Sequence, residues 1–167
     1  MDVLRQLEQS SFSTWVLSSG SLWAYPAILF MHTMGMAIVV GLNAGVDLRI
    51  LGVAPDLPLA AMNRWFPFMW AGFWINAASG AILLIVDATT KLANPVFYVK
   101  MVFIALALVD LRLLKTRVFV GPSIDKTPLT TNARFLAATS LIFWIGVITA
   151  GRLMAYVGPV SGLSGLK

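Results

Sequence analysis

The chain has 167 residues, 59% of them hydrophobic and 11% charged, with a net charge of +5 and no cysteine. A soluble domain carries about 25% charged residues, so this composition excludes an ordinary soluble globule and points to an integral membrane protein. The missing cysteines exclude disulfides, cysteine-ligated iron–sulfur clusters and thiolate metal sites. The basic residues are spread over loops rather than gathered into a patch, so nucleic acid is not an expected partner and the lipid bilayer is.

The length accommodates about four spans of roughly 20 residues each. The expected fold is therefore all-α, an integral membrane four-helix transmembrane bundle forming a single domain over residues 1–167. Residues 2–19 place Val3, Leu4, Leu7 and Trp15 in one arc of about 120° at helical spacing, with Arg5, Gln6 and Gln9 opposite and Glu8 at the edge. This predicts an N-terminal interfacial helix with Trp15 at the headgroup level. With Asp2 and Glu8 against a single Arg5, the segment does not read as a cleaved secretory signal.

The first span is expected over about 22–51, capped by Ser21, with Pro26 in its early turns. It carries His32, the only histidine of the chain and the only ionisable acid or base from residue 9 to residue 46. Gly52 to Pro58 reads as a turn-rich loop. The second span, about 65–87, has Pro67 in its first turn, no charge before Asp87, and a loop after it. The third, about 95–114, is the weakest by hydropathy, because only nine uncharged residues separate Lys100 from Asp110. It has helical length, and Lys100 and Arg112 could snorkel toward opposite interfaces. A loop containing Lys115, Arg117, Gly121, Pro122, Asp125, Lys126 and Pro128 leads to the fourth span, about 133–157, with Arg152 near its end. The tail 158–167 is flexible by composition.

Orientation follows from the basic residues. Arg49, Arg64, Arg112, Lys115, Arg117, Lys126 and Arg134 flank the first and third connections, seven in all. Arg5, Lys91, Lys100, Arg152 and Lys167, five in all, lie toward the other side. The excess places the two basic loops in the cytoplasm and both termini outside, as expected for a multi-pass protein of the bacterial inner membrane. His32, Lys100, Arg152 and Asp87 then fall in the same outer half of the bilayer, with His32 deepest at about ten residues, or ~15 Å, from its helix end.

An ionisable group at such depth is costly and calls for a partner. Tyr25, Met36, Asn43 and Asp47 lie within about 60° of His32 around the first span, and Met69, Asn76, Gly80 and Asp87 form a stripe on the second. Two such stripes facing each other would build an interior site. A transmembrane imidazole suits axial ligation of haem iron, with Met36 or Lys100 for the second position and Arg152 or Lys100 for the propionates. A single histidine excludes bis-histidine ligation within one chain and leaves five-coordinate haem, His/Met or His/Lys ligation, or a haem shared between chains. Alternatively, His32 is simply an interhelical hydrogen-bond donor to a backbone carbonyl or to Asn76. The run Met31 to Met36 also invites a copper reading, but only Met36 shares the His32 face. Asp47, Arg49, Asp110 and Arg112 read as ion pairs between the first and third spans. No internal repeat, phosphate loop, HExxH or GxSxG motif occurs.

The order of features narrows this further: His32 in the first span, then Gly41 and Leu48-Arg49, then Ala77, Ala78, Ser79 and Gly80 in a proline-containing second span, then Lys100 opening the third. Over residues 22–157 this resembles the superfamily that includes the copper-resistance CopD membrane domain and the HemJ-type protoporphyrinogen oxidase, with the small four-helix bacterial membrane proteins grouped near them. The resemblance implies haem b binding, with His32 and Lys100 as the functional pair. The HemJ-type histidine after the lysine is absent, since Val109-Asp110-Leu111 stands there, so porphyrinogen oxidation itself is not implied. The expected function is a membrane-embedded redox protein holding haem b through His32, with Lys100, Arg152, Met36 and Asn76 around it, passing electrons to quinone or a partner complex. The alternatives are a non-catalytic accessory or assembly subunit of a membrane complex and copper transport.

Overall fold

The computed structural model describes residues 2–21, 23–119, 125, 128–154 and 156–157. Among these, every regular element is a helix: α1 (Asp2–Glu8), α2 (Ser11–Ser18), α3 (Tyr25–Leu51), α4 (Leu59–Met62), a 3-10 turn (Asn63–Trp65), α5 (Phe66–Val86), α6 (Ala88–Ala93), α7 (Pro95–Arg117) and α8 (Thr131–Leu153). Three segments are long and apolar enough to cross a membrane: Tyr25–Leu51, Leu59–Val86 and Thr131–Leu153. The chain is thus all-helical with three candidate membrane-spanning helices. The fourth long helix, α7, has the length but is interrupted by Lys100, Asp110 and Arg112.

Proline and glycine set several boundaries. Pro26, Pro67 and Pro95 each occupy the first or second position of a long helix, where the missing N–H is not needed. Gly52 ends α3 in the left-handed region at φ 96°, a conformation open to glycine at no cost. Asn94 caps α7 by accepting the Val96 N–H at 2.9 Å, and its amide also donates to the Val157 carbonyl, which ties the start of α7 to the end of α8. The Asp125 carboxylate accepts the Leu59 and Ala60 N–H groups at 2.6 and 3.3 Å, holding the lead-in to α5.

Several expected boundaries differ. Ser21 does not cap the first long helix: its hydroxyl accepts the Trp23 N–H within a preceding turn, and α3 starts at Tyr25 without a side-chain cap. The second membrane segment starts earlier than residue 65, because α4 and the 3-10 turn run directly into α5. The last helix ends at Leu153, four residues before the expected end. The N-terminal stretch is two helices rather than one, since Ser10 caps α2 by accepting the Ser13 N–H at 3.2 Å. Its expected apolar arc includes Val3 and Leu7, whose side chains lie outside the described residues, as do the tail 158–167 and the loop positions Gly121, Pro122 and Lys126. The pair is anchored: Glu8 accepts the Thr89 N–H and hydroxyl at 2.6 and 2.7 Å, pinning α1 to α6.

The long helices pack with a regular register. His32 pairs with Asn76, Gly35 meets Gly72, and Gly45 meets Trp65, so α3 and α5 run antiparallel. Asp110 pairs with Thr139, Phe103 lies on Gly146 and Asn94 meets Val157, so α7 and α8 do too. Asn43 to Ser140 links α3 to α8 and joins the two pairs. α5 and α7 barely touch, so three interfaces are closed and one seam stays open.

The α3–α5 interface is the tightest. A Cβ on Gly35 would stand 2.7 Å from both the Asn76 nitrogen and the Gly72 oxygen, which are backbone atoms that cannot swing aside. Gly41, on the same helix, would meet nothing within 4 Å. Gly35→Ala should therefore destabilise the protein by about 1–3 kcal/mol through overpacking, whereas Gly41→Ala should leave stability unchanged or raised by up to ~1 kcal/mol. Parallel unfolding of the two variants in detergent measures the difference.

Candidate functional site

The site begins with the close approach of α3 and α5. Because Gly35 and Gly72 let the backbones meet, His32 and Asn76 face each other in reciprocal contact. The Asn76 amide donates to the His32 carbonyl at 2.7 Å. The imidazole Nδ1 lies 3.0 Å from the Asn76 carbonyl oxygen and 3.2 Å from the Ser79 hydroxyl. A carbonyl only accepts, so Nδ1 carries the hydrogen and the neutral ring keeps its lone pair on Nε2. Ser79 donates its own hydrogen to the Ile75 carbonyl at 2.6 Å, which leaves its oxygen to receive part of the Nδ1–H. Gly80 completes the seat: a Cβ there would lie 2.9 Å from the imidazole Cε1.

The expected hydrogen bond from His32 to a backbone carbonyl is thus present, and it orients the ring rather than exhausting it. Among the described residues Nε2 has no hydrogen-bond partner, and His32 lines a cavity of about 430 Å³ in the open seam between α5 and α7. That volume falls within the range of small-molecule sites, ~300–1,000 Å³. Small residues make the room: Ala77, Gly80 and Ala81 from α5, and Ala105 from α7. The remaining wall is apolar, so His32, Asn76 and Lys100 are its polar groups, with Trp144 of α8 closing one side.

Of the five residues expected around the site, four line this cavity: His32, Met36, Asn76 and Lys100. Lys100 reaches it from α7, its ammonium end lying beside Gly151 of α8. Arg152 is not brought in. It is exposed and faces away, because Gly151 and Arg152 are successive residues that point about 100° apart on the helix. Met36 sits one turn from His32 on the same helix, so it shares the histidine's wall and does not face it. The other methionines of the run point outward, with Met31 50% and Met34 43% exposed. Among the described residues, no group of three His, Cys, Asp or Glu side chains is placed to hold a metal ion.

Met101 and Trp144 also line the cavity and were not singled out by the sequence. Met101 follows the already noted Lys100. Trp144 is almost fully buried, and its indole N–H has no partner. A tryptophan in the middle of an apolar span reads as a lipid-facing or core residue, and nothing local marks an unsatisfied N–H.

The other expected polar stripe divides. Asn43 and Asp47, on the same face of α3 as His32, turn toward α8 instead of α5. The expected ion pairs between the first and third spans are absent among the described residues. Asp47 bonds Asn43, Asp110 accepts from Thr139 at 2.8 Å, Arg49 donates to the Leu57 carbonyl, and Arg112 lies over the Trp70 ring at 5.9 Å. Arginine at a helix end gains more from exposed carbonyls and an aromatic face than from a desolvated acid deeper in the bundle. The salt bridge that does form is Asp87 to Lys91, 3.3 Å, one turn apart, with Lys91 also donating to the Leu83 carbonyl.

Comparison with family models, with curated proteins and with solved structures finds no match to the chain. The site is therefore argued from its own geometry.

The reciprocal His32–Asn76 contact has a measurable weight. Asn76→Leu keeps the size of the side chain and the backbone carbonyl that orients Nδ1 but removes the donor to the His32 carbonyl. Loss of one interhelical hydrogen bond in a membrane bundle should cost about 0.6–2 kcal/mol, read as a lower midpoint of denaturant unfolding in detergent.

Proposed function

We propose that the chain is a four-span membrane protein that holds haem b in the seam between α5 and α7 and transfers electrons to quinone or to a partner complex. The observation that carries this reading is the imidazole of His32: its Nδ1–H is tied to a backbone carbonyl and its Nε2 is free at the wall of an apolar cavity. A hydrogen bond from the far ring nitrogen is the usual support of a metal-ligating histidine, because it sets the tautomer and the ring plane. The residues present fit the group. Apolar walls and small side chains suit a flat macrocycle, and Nε2 would supply a nitrogen ligand to its iron. Lys100 supplies a cation for a propionate or a second ligand. Met36 supports the reading less, since it shares the histidine's wall.

When bound, haem would supply one-electron chemistry. The chain's own residues orient the imidazole, exclude water with the Phe73, Phe97, Ile104 and Leu108 side chains, and place a positive charge at the cavity wall. The likeness to the CopD and HemJ-type superfamily, which also singles out His32 and Lys100, points the same way. The bacterial inner membrane is the location this implies.

A fourth span is part of the proposal. Tyr98, Val102, Leu106 and Val109 make an exposed apolar row along α7, while Asp110 is buried and Lys100 is turned into the cavity. Those two charges are therefore inside the bundle, the exposed Arg112 lies over the Trp70 ring toward the far end of the helix, and the face left for lipid over residues 98–109 is apolar. The N-terminal pair α1–α2, with Trp15 exposed and Ser13 and Val16 buried, would lie along the membrane surface at the outer end.

Two experiments test this reading. Protein purified in mild detergent should show a Soret band and a reduced-minus-oxidised difference spectrum, and His32→Ala should lose most of that absorbance. A preparation without a Soret band, or a band unchanged in the variant, sinks the haem assignment. The chain has no cysteine, so single substitutions report topology cleanly. Ser18→Cys and Thr90→Cys should react with an impermeant maleimide in intact cells, and Asp56→Cys and Thr116→Cys only after permeabilisation. Labelling of Thr90→Cys and Thr116→Cys from the same side would show that α7 does not cross.

A further inference from the structure

One turn beyond the cavity lies a second polar cluster that the haem reading does not use. Val39 of α3 and Trp144 of α8 both line the cavity. Four residues along α3 comes Asn43, and four residues back along α8 comes Ser140. Asn43, Asp47 and Ser140 are all fully buried. The Asn43 amide spends both hydrogens, one on Asp47 Oδ2 and one on Ser140 Oγ, each at 2.6 Å. Two acceptors are left over: among the described residues Asn43 Oδ1 and Asp47 Oδ1 have no hydrogen-bond partner, and neither is exposed to solvent.

Among the described residues the charge of Asp47 is also unanswered. Arg49 is drawn to the Leu57 carbonyl. On α7, Arg112 lies over Trp70, and Lys115 lies over Phe66 and donates to Asn63. Arg64 and Arg134 are exposed. α5 carries no charge. The other acid of the interior, Asp110, is 4% exposed and adds negative charge rather than relieving it. The Ser140 hydroxyl stands close enough to turn its hydrogen toward Asp47, but one hydroxyl and one amide N–H do not replace the water lost by a carboxylate buried without a cation.

We infer that Asp47 is a proton-binding site: in the resting protein it is a neutral carboxylic acid whose hydrogen sits on the unpartnered Oδ1. A single hydrogen there removes the uncompensated charge and leaves Oδ2 free to accept from Asn43. A metal ion answers the same charge less well. The cluster offers four side-chain oxygens, two of them already accepting from Asn43, whereas hard divalent cations take six or more oxygens. The proton is held about two helical turns beyond the cavity wall at Val39, and the inference does not depend on what the cavity binds.

The test uses the wild-type protein in detergent at neutral pH. Dicyclohexylcarbodiimide, an apolar reagent for protonated carboxyl groups, is added with and without excess NaCl or KCl, and the adduct is mapped by mass spectrometry. The infrared spectrum is recorded in parallel for wild type and Asp47→Asn. The expected result is an adduct on Asp47 that salt does not prevent, and a carboxylic-acid C=O band that Asp47→Asn removes. The amide resembles the neutral acid, so the variant should melt within a few degrees of wild type. Protection by sodium or potassium would overturn the proton in favour of an alkali cation. An adduct on Asp110 with none on Asp47 would place the proton on the wrong acid. Absence of both adduct and band would show an ionised carboxylate and overturn the inference outright.

Discussion

The contact on which the rest depends is the close approach of α3 and α5 at Gly35, Gly72 and Gly80. Between helices surrounded by lipid there is little hydrophobic drive, so association rests on dispersion contact and interhelical hydrogen bonds. Both need backbones that come near. Without a Cβ at Gly35 or Gly72 the helices settle backbone to backbone, and Asn76 and His32 are brought into reciprocal hydrogen bonding. The same closeness costs contact elsewhere. With α5 drawn onto α3, and α7 drawn onto α8 by Phe103 on Gly146, α5 and α7 barely touch, and the seam between them becomes the cavity.

A single face of α3 therefore serves two purposes. Its first half turns His32 and Met36 to the cavity, and its second half turns Asn43 and Asp47 to α8. The helix is 27 residues long, enough to face one neighbour near its start and another near its end as the packed helices cross. The proposed electron-transfer site and the proposed proton site thus lie along one helix, with Asp47 about two turns, or ~12 Å, beyond Val39 at the cavity wall. A change of charge in the cavity would be felt at the acid through a low-dielectric interior, where screening is weak.

Much of this was legible in the chain. The three most apolar runs became the three helices able to cross a membrane, and Pro26 and Pro67 marked the starts of α3 and α5. His32, Asn76, Met36 and Lys100 could be grouped from helical spacing and estimated depth, and the structure gathers all four around one cavity. The misses share a cause. Arg152 has the right depth but the wrong side, since depth along a helix says nothing about rotation relative to a neighbour not yet placed. The ion pairs drawn between Asp47, Arg49, Asp110 and Arg112 came from matching charges at one end of the bundle. The structure instead gives each arginine a partner near the surface and leaves both acids inside.

By itself the sequence determined that the chain is helical and belongs in a membrane, and which residues would be expensive to bury there. These follow from composition and from local helical periodicity, which act within one segment. Only the tertiary structure decided which buried polar group meets which. The orientation of the imidazole by Asn76, the seam left between α5 and α7, the unpartnered oxygens of Asn43 and Asp47, and the idle indole of Trp144 all depend on the distance and rotation between helices. Those are set by where glycines allow two backbones to touch, which no single helix contains.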